Sequence, residues 1–335
     1  MSTRILINVV KTNQSRMFNA ADKARKDVET TLTRNGYEVI NIPLSLGGNK
    51  MKAILGHLIA IKKALNSIKK HNPQEIIIQY PGFRLGIKSI SFILRFLKNR
   101  NITLLVHDID SLRFHRKVSE KEVSVLKKAT RIILHTDRMK EHLQKNGVNT
   151  PMSVMWLFDY YANGSYISKP FTKPFSVIFA GNLAKSTFLE KLNEMDCSFP
   201  LYLYGLPTDY NWTGNIKYMG KFAPDDIDGI QGNWGLVWDG DSLDECSGHM
   251  GNYLRYNSSH KTSLYIAAGK PVIVWSKSAL APYIVDNNLG ITIDTIRDIP
   301  GKLSEISEEQ YKLFRTSVES MGKKLREGKM LENIL

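Results

Sequence analysis

The stretch from Gly235 to Trp275 gathers the residue types that handle phosphate groups. It reads as an apolar strand, Gly235–Trp238, an acidic turn, Asp239-Gly240-Asp241, a polar loop, and a helix opened by Asn257, Ser258 and Ser259 and stopped by Gly269 and Pro271. His260, Lys261 and Thr262 fall on its first turn. Free backbone N–H groups, the positive end of the helix dipole and a cation then meet at one place, as a diphosphate requires. An ordinary capped helix with a surface lysine is spelled the same way. A second candidate is His107-Asp108-Ile109-Asp110, at the end of the run Thr103–His107. If that strand continued, Asp108 and Asp110 would point to one side and His107 to the other. Two carboxylates on one side push one pKa upward by like-charge repulsion, which suits proton transfer near neutral pH. A third is Gly181-Asn182, where a backbone without a side chain lets a phosphate approach and Lys185 can follow it; a plain turn between strand and helix is the alternative.

Those residues all lie at the ends of β-rich runs. Such runs recur at Arg4–Val10, Val39–Ile42, Glu75–Tyr80, Thr103–His107, Arg131–His135 and Met152–Trp156, with helical patterns between most of them. After Ser168–Pro174 the pattern repeats at Ser176–Ala180, Leu201–Tyr204, Ile216–Met219, Gly235–Trp238, Pro271–Trp275 and Ile291–Ile293. Strands alternating with helices form parallel sheets with crossover helices, so two Rossmann-like α/β halves are expected. Ligands of open parallel sheets gather at the carboxyl ends of the strands. Further tips there are Asn8, Tyr80-Pro81-Gly82, His135-Thr136, Tyr204-Gly205, Gly220-Lys221-Phe222 and Trp275-Ser276. Arg16, Lys23, Arg25, Lys26 and Asp27 sit in the loop and helix start after the first strand.

Composition narrows the class. A length of 335 residues favours two domains. Cys197 and Cys246 are too few for a disulfide framework, which fits a reducing compartment. Met1–Val10 lacks the basic start, long apolar core and small-residue cleavage site of a secretory leader, and no apolar run reaches the roughly eighteen residues of a membrane span. A cytoplasmic protein, soluble or peripheral to a membrane, is expected. The net charge of +14 is uneven: residues 1–150 hold 28 Lys and Arg against 11 Asp and Glu, a net +17, and the remainder hold 18 against 21, a net −3. Such asymmetry points to a polyanion or an anionic membrane beside the first half. Met51–Lys70 sets Ile54, Leu55, Leu58, Ile61, Leu65 and Ile68 at helical spacing, with Lys52, Lys62, Lys63, Lys69 and Lys70 largely outside that stripe. Ile87–Arg100 sets Ile90, Ile93, Leu94 and Leu97 against Lys88, Arg95, Lys98 and Arg100. Each stripe is either core or a face that also touches lipid. No P-loop, zinc-ligand spacing or GxSxG elbow is present, and aromatic and basic residues do not interleave as in RNA-binding domains.

The block with Trp238-Asp239-Gly240-Asp241, the Cys246-Ser247-Gly248 loop, His260–Tyr265, the Pro271–Trp275 strand and Ser278–Gly290 closely resembles bacterial β-1,6-galactofuranosyltransferases of surface-polysaccharide synthesis. More distantly it resembles glucosyltransferases that extend glycans on serine-rich adhesins. The resemblance is tightest over roughly 176–295, with shorter matches at Lys23–Val28, Tyr80-Pro81 and His107–Arg113. It implies the GT-B architecture, two Rossmann-like domains facing a central cleft. Residues 1–160 would form the acceptor domain, 172–310 the nucleotide-sugar donor domain, and 311–335 a C-terminal helix packing back on the first. It implies inverting transfer of galactofuranose from UDP-galactofuranose to a sugar hydroxyl of a glycan, free or held on a lipid pyrophosphate, at the inner face of the plasma membrane. Glucose from UDP-glucose, or a non-catalytic nucleotide-sugar-binding subunit of a transferase complex, are the alternatives. Gly181, Asn182, Lys185, Tyr204, Phe222, Asp239, Asp241, His260, Lys261 and Thr262 would then bind the donor, with Tyr204 or Phe222 against the uracil. Arg16, Arg25, Asp27 and Tyr80 would border the acceptor. The distant relatives keep the His-Asp pair but not the second aspartate, so Asp108 is the preferred base, ahead of Asp110 and His107. Asp239-Gly240-Asp241 is a DxD, but GT-B enzymes usually neutralise the leaving diphosphate with cations and helix ends, so no metal or other cofactor is expected.

Overall fold

The computed structural model describes residues 4–11, 20–44, 50–80, 84–97, 100–114, 119–163 and 171–335. The chain divides into two compact units, Met1–Met155 with Ile334–Leu335, and Trp156–Asn333.

The first unit is built on six parallel strands: β1 (Arg4–Lys11), β2 (Tyr37–Leu44), β3 (Glu75–Tyr80), β4 (Ile102–Val106), β5 (Arg131–Leu134) and β6 (Met152–Val154), in the order β2-β1-β3-β4-β5-β6. The helices between them are α1 (Ala20–Arg34), α2 (Lys50–His71), α3 (Arg84–Phe96), the short α4 (Asp110–Arg113), α5 (Glu120–Leu126) and α6 (Asp137–Lys145). Ile76, Ile77, Ile78, Leu104 and Leu105 are fully buried, because a parallel sheet clad on both faces needs apolar side chains on both. The winding reverses at β1, which lies between β2 and β3, and Asn8 stands opposite Asn41 in register.

The second unit repeats the plan with β7 (Val177–Ala180), β8 (Leu201–Tyr204), β9 (Ile216–Tyr218), β10 (Trp234–Val237), β11 (Val272–Trp275) and β12 (Gly290–Ile293), ordered β12-β11-β10-β7-β8-β9. Its helices are α7 (Phe188–Glu194), α8 (Gly248–Tyr253), α9 (His260–Ala267), α10 (Ala281–Asp286), α11 (Ile299–Glu305), α12 (Glu308–Glu327) and α13 (Lys329–Glu332). Here the winding reverses at β7, between β8 and β10. Both sheets are thus doubly wound and parallel, as the alternation of runs predicts.

Two expectations about helices change. The stripe on α2 is not core along its whole length: Ile61, Leu65 and Ile68 are buried, but Ile54, Leu55 and Leu58 are 61%, 60% and 47% exposed. α2 packs on β2, and its buried residues begin only at Ile61. α12, expected to return to the first half, belongs to the second unit, where it packs on α9. A side chain at Gly322 would meet the Ile266 carbonyl oxygen at 2.5 Å, and the Arg326 guanidinium donates to the Ala267 carbonyl. Of the C-terminal segment that follows α12, Ile334 and Leu335 belong to the first unit. No helix among the described residues is long and apolar enough to cross a membrane.

Candidate active site

In the second unit the switch-point strands β7 and β10 end in Gly181 and Asp239, and Lys261 of α9 reaches both tips. Its Nζ lies 2.7 Å from Asp239 Oδ1, 3.5 Å from the Trp238 carbonyl oxygen and 5.2 Å from the centre of the Phe179 ring. A Cβ at Gly181 would lie 3.1 Å from Lys261 Cε. The lysine is placed by the seat of its helix. Tyr265 is fully buried, its hydroxyl accepts from the Ala180 N–H at 2.7 Å, and its ring fills the space beside Gly235, where a Cβ would stand 2.2 Å away. The Ser259 side chain makes no capping hydrogen bond, and its carbonyl oxygen accepts from the Thr262 N–H at 2.9 Å.

The acidic turn divides its two carboxylates. Gly240 has φ +113°, and a side chain there would meet the Ser247 carbonyl oxygen at 2.5 Å. Asp239 is held by Lys261, whereas Asp241 accepts from the Ser247 hydroxyl, and that bond lowers its pKa. Asp241 therefore shapes the loop. Beneath lies Cys246, whose thiol burial pushes well above its ordinary range; Asp239, Lys261 and Arg255 all act on it electrostatically. Arg255 is a cation that spacing did not reveal. Its guanidinium carbon lies 4.4 Å from the centre of the Trp275 ring, and its partners Asn252 and Glu245 precede it on the loop and helix leading to α9. The sign available in the sequence is a second cation six residues ahead of Lys261.

Other expected donor residues are placed differently. The His260 ring packs on Tyr160 and Phe158, with centroids 5.1 and 5.9 Å apart, and Thr262 is fully buried. Of the first turn, Lys261 alone extends to the strand tips. Tyr204 is 4% exposed; its hydroxyl accepts from the Gln231 N–H at 2.8 Å, and Phe222 packs edge-on against its ring at 5.5 Å, so Phe222 is the half-exposed member of the pair. Asn182 and Lys185 are exposed after β7. Close approach fixes that corner, since a side chain at Gly205 would meet the Gly181 carbonyl oxygen at 2.2 Å.

In the first unit a chain of polar side chains runs across the switch point. Asn8 donates to Glu29 Oε2 at 2.8 Å and to Asn41 Oδ1 at 3.1 Å; Gln79 Nε2 donates to Asn8 Oδ1 at 2.8 Å and to the Arg25 carbonyl at 3.1 Å. Gln79 Oε1 in turn holds His107 Nε2 at 2.6 Å. β4 stops at Val106 and α4 opens at Asp110, so strand alternation does not set the directions of His107, Asp108 and Asp110. Asp108 is ion-paired with Arg113 at 2.7 Å, and its side chain is 22% exposed. It also acts on Arg25, whose guanidinium burial lowers to about 10 while Asp108 and Asp22 pull the other way. Asp110 Oδ1 is buried, and the carboxylate of the buried Glu122 accepts from the N–H groups of Asp110 and Ser111 at 3.0 and 3.3 Å. Burial raises the pKa of Glu122.

Two residues expected at the acceptor side lie inside. Asp27 is 2% exposed and its carboxylate is paired with the buried Lys23 at 2.5 and 2.6 Å, and Tyr80 is fully buried with its hydroxyl enclosed. Arg16, Pro81 and Gly82 lie outside the described residues. Among the described residues, no three His, Cys, Asp or Glu side chains are grouped to hold a metal ion.

Two parallel six-stranded sheets, with charged groups after β4 in the first and after β7 and β10 in the second, are the build of a GT-B glycosyltransferase. The solved structure of the lipopolysaccharide outer core galactosyltransferase WaaB in its apo form shares that fold, with a TM-score of 0.62 and 11% identity over 98% of both chains. The chain belongs to the Glucosyltransferase 3-like family: that family's N-terminal domain matches residues 6–157 and its C-terminal domain residues 177–335. It is 31% identical over 322 residues to the β-1,6-galactofuranosyltransferase WbbI of Escherichia coli (strain K12), covering 95% of this chain and 93% of that one. It is 23% identical over 249 residues to Glucosyltransferase 3 of Streptococcus gordonii, covering 72% and 71%.

Proposed function

We propose that this glycosyltransferase moves galactofuranose from UDP-galactofuranose to a sugar hydroxyl of a surface-polysaccharide acceptor, inverting the anomeric carbon, at the inner face of the plasma membrane. The observation that carries the donor side is Lys261, set beside Asp239 and Gly181 at the switch point of the second sheet. A diphosphate arriving there displaces Asp239 as the partner of the ammonium and takes N–H groups of α9, so negative charge meets a cation and a dipole end together. Arg255 is the second cation near that place. Phosphate neutralised in this way needs no metal, and the division of Asp239 from Asp241 supports a metal-independent reading. Identity of 31% to WbbI over nearly the whole chain supports the galactofuranose donor.

Inversion needs one in-line attack and a group that takes the proton of the attacking hydroxyl. Asp108 is the base in this reading. Its carboxylate is partly exposed and oriented by Arg113, whereas Asp110 has a buried oxygen and His107 is held by Gln79. Glucose from UDP-glucose is the second reading, favoured by the match to Glucosyltransferase 3. Mass spectrometry of reactions with each UDP-sugar of a panel and glycan acceptors separates them: a hexose-sized increment only from UDP-galactofuranose supports the first, and a hexose-sized increment only from UDP-glucose replaces it. UDP binding with no transfer from any donor would reduce the chain to a binding subunit.

A further inference from the structure

The part of α2 that the first sheet leaves uncovered has an ordered chemistry. Met51, Ile54, Leu55, Leu58 and Ile59 are 80%, 61%, 60%, 47% and 47% exposed. Their spacing puts them on one stripe of the helix. At 3.6 residues per turn the same stripe runs on to Lys62 and Lys69, while Lys52, Lys63 and Lys70 follow its edge, all five exposed. α3 repeats the theme: Phe92 and Phe96, 40% and 53% exposed, touch with ring centroids 4.9 Å apart, and the exposed Lys88 lies one turn before them. The two helices meet where His57 Nε2 and Ser89 Oγ lie 2.7 Å apart. Neither helix contains an Asp or Glu.

We propose that the exposed faces of α2 and α3 dock on an anionic lipid bilayer. Large apolar side chains flanked by lysines, with no acid among them, match an acyl boundary bordered by phosphate headgroups: the apolar stripe enters the boundary and the lysine stems reach back to the phosphates. A second copy of the chain is the other occupant such an apolar face can take, and contact between two copies of these helices gives the lysines no partner of opposite charge, because neither helix carries an acid. Docking rests on the glycosyltransferase reading for its purpose, which is to hold the first unit where a lipid-linked acceptor is presented.

The test uses the full chain with vesicles of phosphatidylcholine, alone or with one third phosphatidylglycerol. Binding is expected to require phosphatidylglycerol and to weaken as salt rises, because exposed charges are screened beyond about 8–10 Å at physiological ionic strength. Ile54→Glu with Leu58→Glu should weaken it by at least about tenfold, since two apolar side chains that enter the acyl boundary on docking are replaced by charges. Lys62→Ala with Lys69→Ala should weaken it by about fivefold per lysine. These side chains are exposed, so the variants are expected to keep wild-type UDP affinity and circular dichroism. Wild-type chain that ignores phosphatidylglycerol vesicles, or Glu variants that bind them as wild type does, would overturn the proposal. So would a wild-type dimer that the Glu variants convert to monomer with no vesicle binding, which would assign the face to a second copy. Transfer to a soluble acceptor without vesicles is measured in parallel. Docking lost with transfer retained in the wild-type chain removes this proposal alone; docking present with no transfer from any donor supports it and removes the transferase reading alone.

Discussion

Lys261 is the residue on which the donor reading turns, and its neighbourhood says what its loss should do. The ammonium stands 2.7 Å from Asp239 in a partly buried corner, so a bound diphosphate would gain a charge-assisted contact worth about 1.5–3 kcal/mol. Lys261→Ala should weaken UDP binding by roughly 10- to 100-fold in titration calorimetry, with unchanged affinity as the result that removes the assignment. Asp108→Asn should behave in the opposite way. If its carboxylate takes the hydroxyl proton, the transfer rate falls by at least about a hundredfold while UDP affinity stays near wild type. Transfer within a few-fold of wild type would move the search to Asp110 and His107. The place of Lys261 on the first turn of its helix was legible from the Asn257-Ser258-Ser259 start, although the same spelling also serves an ordinary capped helix with a surface lysine. Arg255 was not, because what brings it to the strand tips is the face of Trp275, a contact twenty residues away that no local spacing encodes. Thr262 misled for a related reason: α9 is covered by the sheet on one side and by α12 on the other, so polar residues of its early turns go inside.

At the scale of elements, the twelve strands were legible because parallel strands covered on both faces must be apolar runs, and those runs carry turn signals at both ends. What was hidden is where each helix ends relative to its sheet. α2 has one continuous helical period, yet Ile61 is buried and Leu58 is not, a difference that periodicity within the helix does not carry. The polar chain Asn8–Gln79–His107 was hidden too, since it depends on β1 lying between β2 and β3. Next to it, at the end of β5, His135 is 2% exposed and its Nε2 lies 2.9 Å from the Val106 carbonyl oxygen. Burial lowers its pKa from 6.5 to about 4. The folded state therefore holds this ring neutral while the unfolded chain takes up a proton as pH falls below 6.5. Stability tied to His135 is complete above that value and is lost progressively as pH falls towards 4, by about 3 kcal/mol in total. Urea unfolding at a series of pH values should show this slope in the wild type, and His135→Gln should flatten it; equal slopes would mean that His135 does not set the acid limit.

For the molecule as a whole, each unit has its own parallel sheet and its own buried residues, and the residues proposed for the donor all belong to the second. That distribution makes a thermodynamic prediction about the entire chain. A ligand that binds only the folded form stabilises it by RT ln(1 + [L]/Kd), about 2.7 kcal/mol at one hundred times Kd. If UDP is held by Lys261, Arg255 and the start of α9, that stabilisation enters through the second unit, and the first unit gains only as far as its unfolding is coupled to the second. Scanning calorimetry of the full chain with and without saturating UDP reads this directly. Two transitions are expected, because domains with separate cores need not melt together. UDP should raise one of them, and the same transition should lose its response in Lys261→Ala. The transition that does not respond to UDP should be the one whose midpoint moves with pH through His135, which assigns it to the first unit without cutting the chain. A UDP response and a His135 response that always fall on the same transition would show the two units unfolding as one, and a UDP response that survives in Lys261→Ala would place the nucleotide elsewhere.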